Sequence, residues 1–258
     1  MCTSCGLLLR DYHAGVHNRS ESEKNNFMQL RNNPSGQPVA SREHERWRSV
    51  RMSYDTIAAE YARRIYAELK DKPFDRGWLD GFAERVRAIG RVCDLGCGPG
   101  HVARYLRDRG VDVFGLDLSP IMLEEARRLN PDIEFIEGTM MSLNMESERL
   151  AGIVTLYSII HMERNELGIA FAELWRVLRP GGCALVAFHV GSDTIHNTEW
   201  WGYSVNLDAT FFTSGEIVEQ LKRAGFEIEA AMERDPYPEV EYQSRRGYVV
   251  AIKDIPAR

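Results

Sequence analysis

Apolar residues recur at helical spacing from Tyr54 to Leu69, at Ile57, Ala58, Tyr61, Ala62, Ile65 and Leu69, with Asp55 placed to cap the start. A second helix is predicted over Asp75 to Ile89, on Trp78, Leu79, Phe82, Val86 and Ile89. The period then changes. Arg91 to Leu95 is a short apolar strand that runs into Gly96-Cys97-Gly98-Pro99-Gly100, and a helix follows from Pro99 to Arg109. Further strands are predicted at 112–116, 133–136, 153–157 and 184–189. Between them lie helices from Ser119-Pro120, as cap and first residue, to Leu129, and from Arg164 to Leu178. Arg179-Pro180-Gly181-Gly182 stops the latter. After an insertion at 191–212, Thr213-Ser214-Gly215-Glu216 reads as a capping box for a helix to Ala224. Phe226–Met232 and Gly247–Ile252 read as two final strands. Strands alternating with helices in this way imply βαβ units and a parallel sheet covered on both faces.

Residues 1–45 are polar and aperiodic, with the loop signal Asn32-Asn33-Pro34-Ser35-Gly36, and read as a flexible tail before a domain over 46–258. Met52 is a natural start for the folded part. The tail pairs Cys2/Cys5 and His13/His17 have metal-ligand types, but their gap is short for a zinc finger and no metal is expected. A net charge of −6 argues against a nucleic-acid partner. No apolar run of about 18 residues predicts a membrane span. Three leucines after Gly6 are too few for a signal-peptide core, so a cytoplasmic protein with free thiols is expected, a monomer or homodimer.

The Gly-rich turn lies between a strand and a helix, where a glycine backbone lets a ligand approach closely and the helix N-terminus is partly positive. That places an adenosine-containing cofactor at the carboxyl edge of the sheet. A dinucleotide fingerprint needs Gly-x-Gly-x-x-Gly, but His101 stands at the third glycine's place, and no Lys-Ser or Lys-Thr follows for a P-loop. Asp94 before the turn suits a cationic ligand better than a pyrophosphate. S-adenosylmethionine, with its ammonium and sulfonium, meets that requirement and NAD does not. Asp117, ending the second strand, stands where an acid can bind ribose hydroxyls.

These segments resemble the class I S-adenosylmethionine-dependent methyltransferases, particularly the quinone-biosynthesis-like branch. The resemblance rests on Val92-Cys93-Asp94-Leu95-Gly96-Cys97-Gly98-Pro99-Gly100, Val113-Phe114-Gly115-Leu116-Asp117-Leu118-Ser119, Tyr54-Asp55-x-x-Ala58-x-x-Tyr61 and Leu178-Arg179-Pro180-Gly181-Gly182. It implies an α/β, Rossmann-like three-layer sandwich with a seven-stranded, mostly parallel sheet in order 3-2-1-4-5-7-6, strand 7 antiparallel. It also implies S-adenosyl-L-methionine as cofactor, S-adenosyl-L-homocysteine as product and a small-molecule acceptor. By the same resemblance Gly96, Cys97 and Gly98 form the methionine-binding turn, ordered by Asp94. Asp117 holds the ribose, Leu118 beside it also binds the cofactor, Met122 contacts the adenine, and Gly138, Thr139 and Met140 flank it. Tyr157 and Ser158 lie beneath the sulfonium, and Tyr54 and Tyr61 close the site from above. The family often has an acid just after the third strand, where this chain has Gly138-Thr139-Met140.

Methyl transfer needs positioning and, for some acceptors, a general base. His161, after the fourth strand, is the first candidate and His189, ending the fifth, the second. Trp200, Trp201 and Tyr203 in the insertion, with Glu241 and Arg245-Arg246 before the last strand, are the candidate acceptor-binding residues. Adjacent tryptophans are expected to point apart, and the arginines to read a polar or acidic group. The rival expectations are a non-catalytic cofactor binder of the same fold and an NAD-type oxidoreductase.

Overall fold

The computed structural model describes residues 39–255, with side chains from Glu45 onward. The Cys2/Cys5/His13/His17 motif and nearly all of the expected tail lie outside the described residues. Helices α1 (Val39–Ile65) and α2 (Pro73–Val86) precede an alternation of β1 (Val92–Leu95), α3 (His101–Arg107), β2 (Val113–Asp117), α4 (Pro120–Leu129) and β3 (Glu134–Glu137). It continues through β4 (Leu150–Leu156), α5 (Leu167–Val177) and β5 (Leu178–His189). The hairpin β6 (Thr194–Trp200) and β7 (Tyr203–Thr210) follows, then α6 (Ser214–Arg223), β8 (Phe226–Arg234) and β9 (Arg246–Lys253).

The main sheet runs β3-β2-β1-β4-β5-β9-β8, and the hairpin forms a separate two-stranded sheet. Counted without the hairpin, this is the expected order 3-2-1-4-5-7-6. β9 is antiparallel to both of its neighbours, and the other adjacent pairs are parallel. Every residue of β1 is buried, and all but the last of β4, because both faces of these central strands are covered. On one face Leu167, Phe171, Leu174, Ile217 and Leu221 of α5 and α6 pack against it. On the other face Leu79, Phe82, Val86, Leu106 and Leu123 of α2, α3 and α4 do so.

Local chemistry explains the edges. Ser119 caps α4 by accepting from the Met122 N–H at 3.0 Å, and Thr213 with Glu216 forms the expected capping box on α6. α1 begins well before Tyr54, so Asp55 is inside the helix. Its carboxylate instead accepts from Ser119 Oγ at 2.6 Å and the Ile121 N–H at 3.3 Å, tying α1 to the start of α4. Trp47 and Val50 pack into the domain, so its folded part reaches N-terminal of Met52. β5 includes the Arg179-Pro180-Gly181-Gly182 turn because its register on β4 slips there, from Leu150↔Leu178 to Gly152↔Cys183. No described helix is long and apolar enough to cross a membrane.

Candidate functional site

A cleft with about 680 Å³ of empty space, its mouth included, opens at the carboxyl ends of β1, β2 and β4. Gly96 and Gly98 of the turn after β1, Asp117 and Leu118 after β2, and Met122 of α4 line it. So do Gly138, Thr139 and Met140 after β3, Tyr157, Ser158 and His161 after β4, and Tyr54 and Tyr61 of α1. Of the cofactor residues expected from the sequence, only Asp94 and Cys97 do not reach this lining. Asp94 is 2% exposed and accepts from the Ala103 N–H at 2.9 Å, pinning the first turn of α3 behind the glycines. Burial pushes its carboxyl up to about 7. Cys97 is buried, its Sγ packed where a Cβ on Gly115 would have to go. Gly96 has φ +73°, and a Cβ there would fall 2.3 Å from the Ser158 Cβ, so no larger residue fits this turn.

Asp117 is fixed from two sides. Its oxygens accept from the Gly98 and Ser119 N–H groups, each at 2.9 Å. Burial raises its pKa and these backbone donors pull it back. Each oxygen retains a further lone pair, as binding a vicinal diol requires.

α1 roofs the cleft. Trp47, Val50, Tyr54, Ile57 and Tyr61 fall on one helical face; Trp47 and Val50 also line the cleft, while Ile57 is buried beside them. Trp47 and Val50 were missed by sequence reasoning, although their spacing from Tyr54 continues the same stripe. The inserted hairpin covers this helix: Val205 and Leu207 bury against Val50 and Ile57. Trp200 stands edge-on to Tyr54 and Tyr61, with centroids 6.3 and 5.8 Å away. The two tryptophans do not point apart. Trp201 takes φ +55° in the hairpin turn, and the two rings lie 4.7 Å apart, both beside Tyr61. They back the roof and do not line the cleft, and Tyr203 is exposed.

His161 Nδ1 lies 2.8 Å from the Asp208 carbonyl oxygen, which can only accept. Nδ1 therefore carries the proton, and Nε2 accepts from the Tyr54 hydroxyl at 2.7 Å. Burial pushes the imidazole down to about 4, so it is neutral. His189 differs. Its Nδ1 faces the Arg246 guanidinium at 2.6 Å, a donor only, and its ring stacks on Phe211. Burial and Arg246 push it down to about 3.

The expectation that Glu241 and the arginines read an acidic acceptor is not met by their geometry. The Glu241 side chain is 3% exposed and ion-pairs with Arg234, with Arg246 at 3.3 Å and with Lys72 at 3.5 Å. Arg245 points outward to Glu233 and Asp235. Asp75, also missed, anchors this network: it is 1% exposed, pairs with Arg234 at 2.7 Å and accepts from Tyr157 and Tyr248. Its sequence signal was an acid on the same helical face as Leu79, Phe82 and Val86, where a core residue is expected.

Residues 92–182 match a family described as a methyltransferase domain. The chain is 33% identical over 128 residues to a malonyl-[acyl-carrier protein] O-methyltransferase of Enterobacter lignolyticus, covering 49% of this chain and 50% of that protein. It is 30% identical over 140 residues to a demethylmenaquinone methyltransferase of Renibacterium salmoninarum, covering 54% and 57%. The chain thus spans about half the length of the curated relatives it matches. Among solved structures, the complex of DhpI with S-adenosylhomocysteine (SAH) superposes with a TM-score of 0.63 at 20% identity, covering 83% of this chain and 99% of that one.

Proposed function

We propose that this chain, which carries a class I S-adenosylmethionine-dependent methyltransferase domain, transfers the methyl group of that cofactor to a small-molecule acceptor. The observation that carries the reading is the cleft itself. Asp117 is held by two backbone donors, beside apolar walls from Leu118, Met122 and Met140 and the glycine turn, under a tyrosine roof. These residues fit an adenosyl group: the carboxylate suits its ribose diol and the methionines suit a flat ring face. Within that fit, Asp94 holds the turn from behind, and Tyr157 and Ser158 face the reacting end. The cofactor supplies an activated methyl group. The protein supplies alignment of a nucleophile about 3 to 3.5 Å from it.

Thermal unfolding with S-adenosylmethionine, SAH and NAD tests this. At about 100 times its dissociation constant, a ligand stabilises by about 2.7 kcal/mol, which raises Tm by several degrees. Both adenosyl ligands should do so, NAD should not, and Asp117→Ala should weaken the shift strongly. Stabilisation by NAD alone would overturn the assignment.

A further inference from the structure

The cleft is lined mainly by aromatic and apolar groups, with Asp117 as its one carboxyl group and no lysine or arginine among its described lining residues. Among the described residues, the cations that lie over its aromatic lining are already paired: Arg46 with Glu166, Lys72 with Glu68 and Glu241, and Arg246 with Glu241. A carboxylate acceptor would enter without a protein counter-charge and with an acid already present, which is costly in a buried site. A neutral acceptor bears no such cost. What the cleft offers instead is a proton path. Tyr54 and His161 both line it, the tyrosine hydroxyl donates to Nε2, and Nδ1 is committed to the Asp208 carbonyl.

We propose that Tyr54 is the catalytic group that takes a proton from a neutral, protic acceptor such as a phenol, hydroquinone or amine, and passes its own proton to His161. This rests on the methyltransferase reading and names its substrate class. As the acceptor's nucleophilic atom bonds to the methyl carbon, the carbon–sulfur bond breaks and its electron pair stays on sulfur. The acceptor proton goes to the Tyr54 oxygen while the Tyr54 proton goes to His161 Nε2. The positive charge that leaves sulfur reappears on the imidazole, so atoms and charge balance without a further reactant. After the product leaves, the Nε2 proton returns through Tyr54 to water in the open cleft, which restores the Nδ1–H form. Among the described residues, the groups facing the imidazole are Tyr54, Asp208 with its carbonyl, and Arg46, whose guanidinium donates to the His161 carbonyl. Burial, reinforced by Arg46, keeps the ring from holding the charge, so it resets after each turnover.

The test uses the full chain with SAH bound. Nitrogen-15 histidine NMR, with the His161 signals assigned by His161→Asn, should show the neutral Nδ1–H form near pH 7. Tyr54→Phe should shift the Nε2 signal. In one reaction with methyl-labelled S-adenosylmethionine, a pool of phenol, hydroquinone and amine probes then competes with malonyl-pantetheine and other carboxylate probes. Label should enter the protic pool. On a labelled probe, Tyr54→Phe should lower kcat by about 10²- to 10⁴-fold with KM and SAH affinity little changed, and His161→Gln should move the acid limb of the pH profile. An Nε2–H form of His161, label in the carboxylate pool, or an unchanged kcat in Tyr54→Phe would overturn the relay. Loss of SAH binding in the wild type would instead overturn the underlying reading.

Discussion

Asp94 shows how a residue can matter to a site it does not touch. Its carboxyl accepts the Ala103 N–H and is raised to about 7 by burial, so near neutrality about half of the molecules carry it as an uncharged acceptor. Asn supplies the same oxygen. Asp94→Asn should therefore stay within about 1 kcal/mol of the wild type in urea unfolding, whereas Asp94→Ala should cost about 1–3 kcal/mol by leaving that N–H unpaired. If Asn costs as much as Ala, the charge of Asp94 is essential and it acts on the ligand more directly. At this scale the sequence carried residue types well and orientations poorly. Gly96, Asp117 and Ser158 were legible because backbone geometry after a strand leaves few alternatives. Glu241 and Arg245 were not, because a loop between two strands has no period to say which of two adjacent arginines turns inward. Here it is Arg246, 2% exposed.

Among the elements, the hairpin β6–β7 departs most from what the sequence reveals. Residues 191–212 read only as an insertion, since alternation was broken by His196, Glu199 and the tryptophan pair. The structure gives it a job: Leu207 and Val205 close over Ile57 and Val50, and Trp200 braces both roof tyrosines. Edge-on aromatic pairs contribute about 0.5–1.5 kcal/mol each. Trp200→Ala, removing two of them from a half-buried position, should weaken SAH binding by about 5- to 30-fold in calorimetry while α/β circular dichroism is unchanged. Unchanged affinity would mean that the roof holds its shape without the hairpin. The start of α1 was misjudged for a related reason. Between Glu45 and Arg51 the charged residues hide the stripe of Trp47 and Val50, which is completed only by Tyr54, Ile57 and Tyr61.

For the whole molecule, the strand order was legible because parallel βαβ units admit few arrangements, and the two last strands had nowhere to pair except on β5. The buried charges that bind these layers were not legible, and they set a pH response whose sign can be worked out. His161 and His189 have folded values near 4 and 3, below the usual 6.5, so the unfolded chain takes up their protons first and stability falls as pH drops below about 6.5. Asp94 is raised to about 7, so the native state takes up its proton first and stability rises as pH falls below about 7; Asp117 is raised too and acts with the same sign. The two effects oppose each other between about pH 7 and 5. Below about 4.5 the balance ends. Glu68 is held down to about 2 by His101 and Lys72 despite burial, and Glu241 is lowered by Arg234 despite burial, so both lose stabilising charge only in acid. Tm should therefore change little from pH 7 to 5 and fall steeply below about 4.5. Glu68→Gln, which leaves the buried Lys72 with Glu241 as its one charged partner, should lower the plateau and flatten that fall. A Tm that declines steadily from pH 7, or an acid fall untouched by Glu68→Gln, would show that the charges joining α2 to the last two strands do not govern the response.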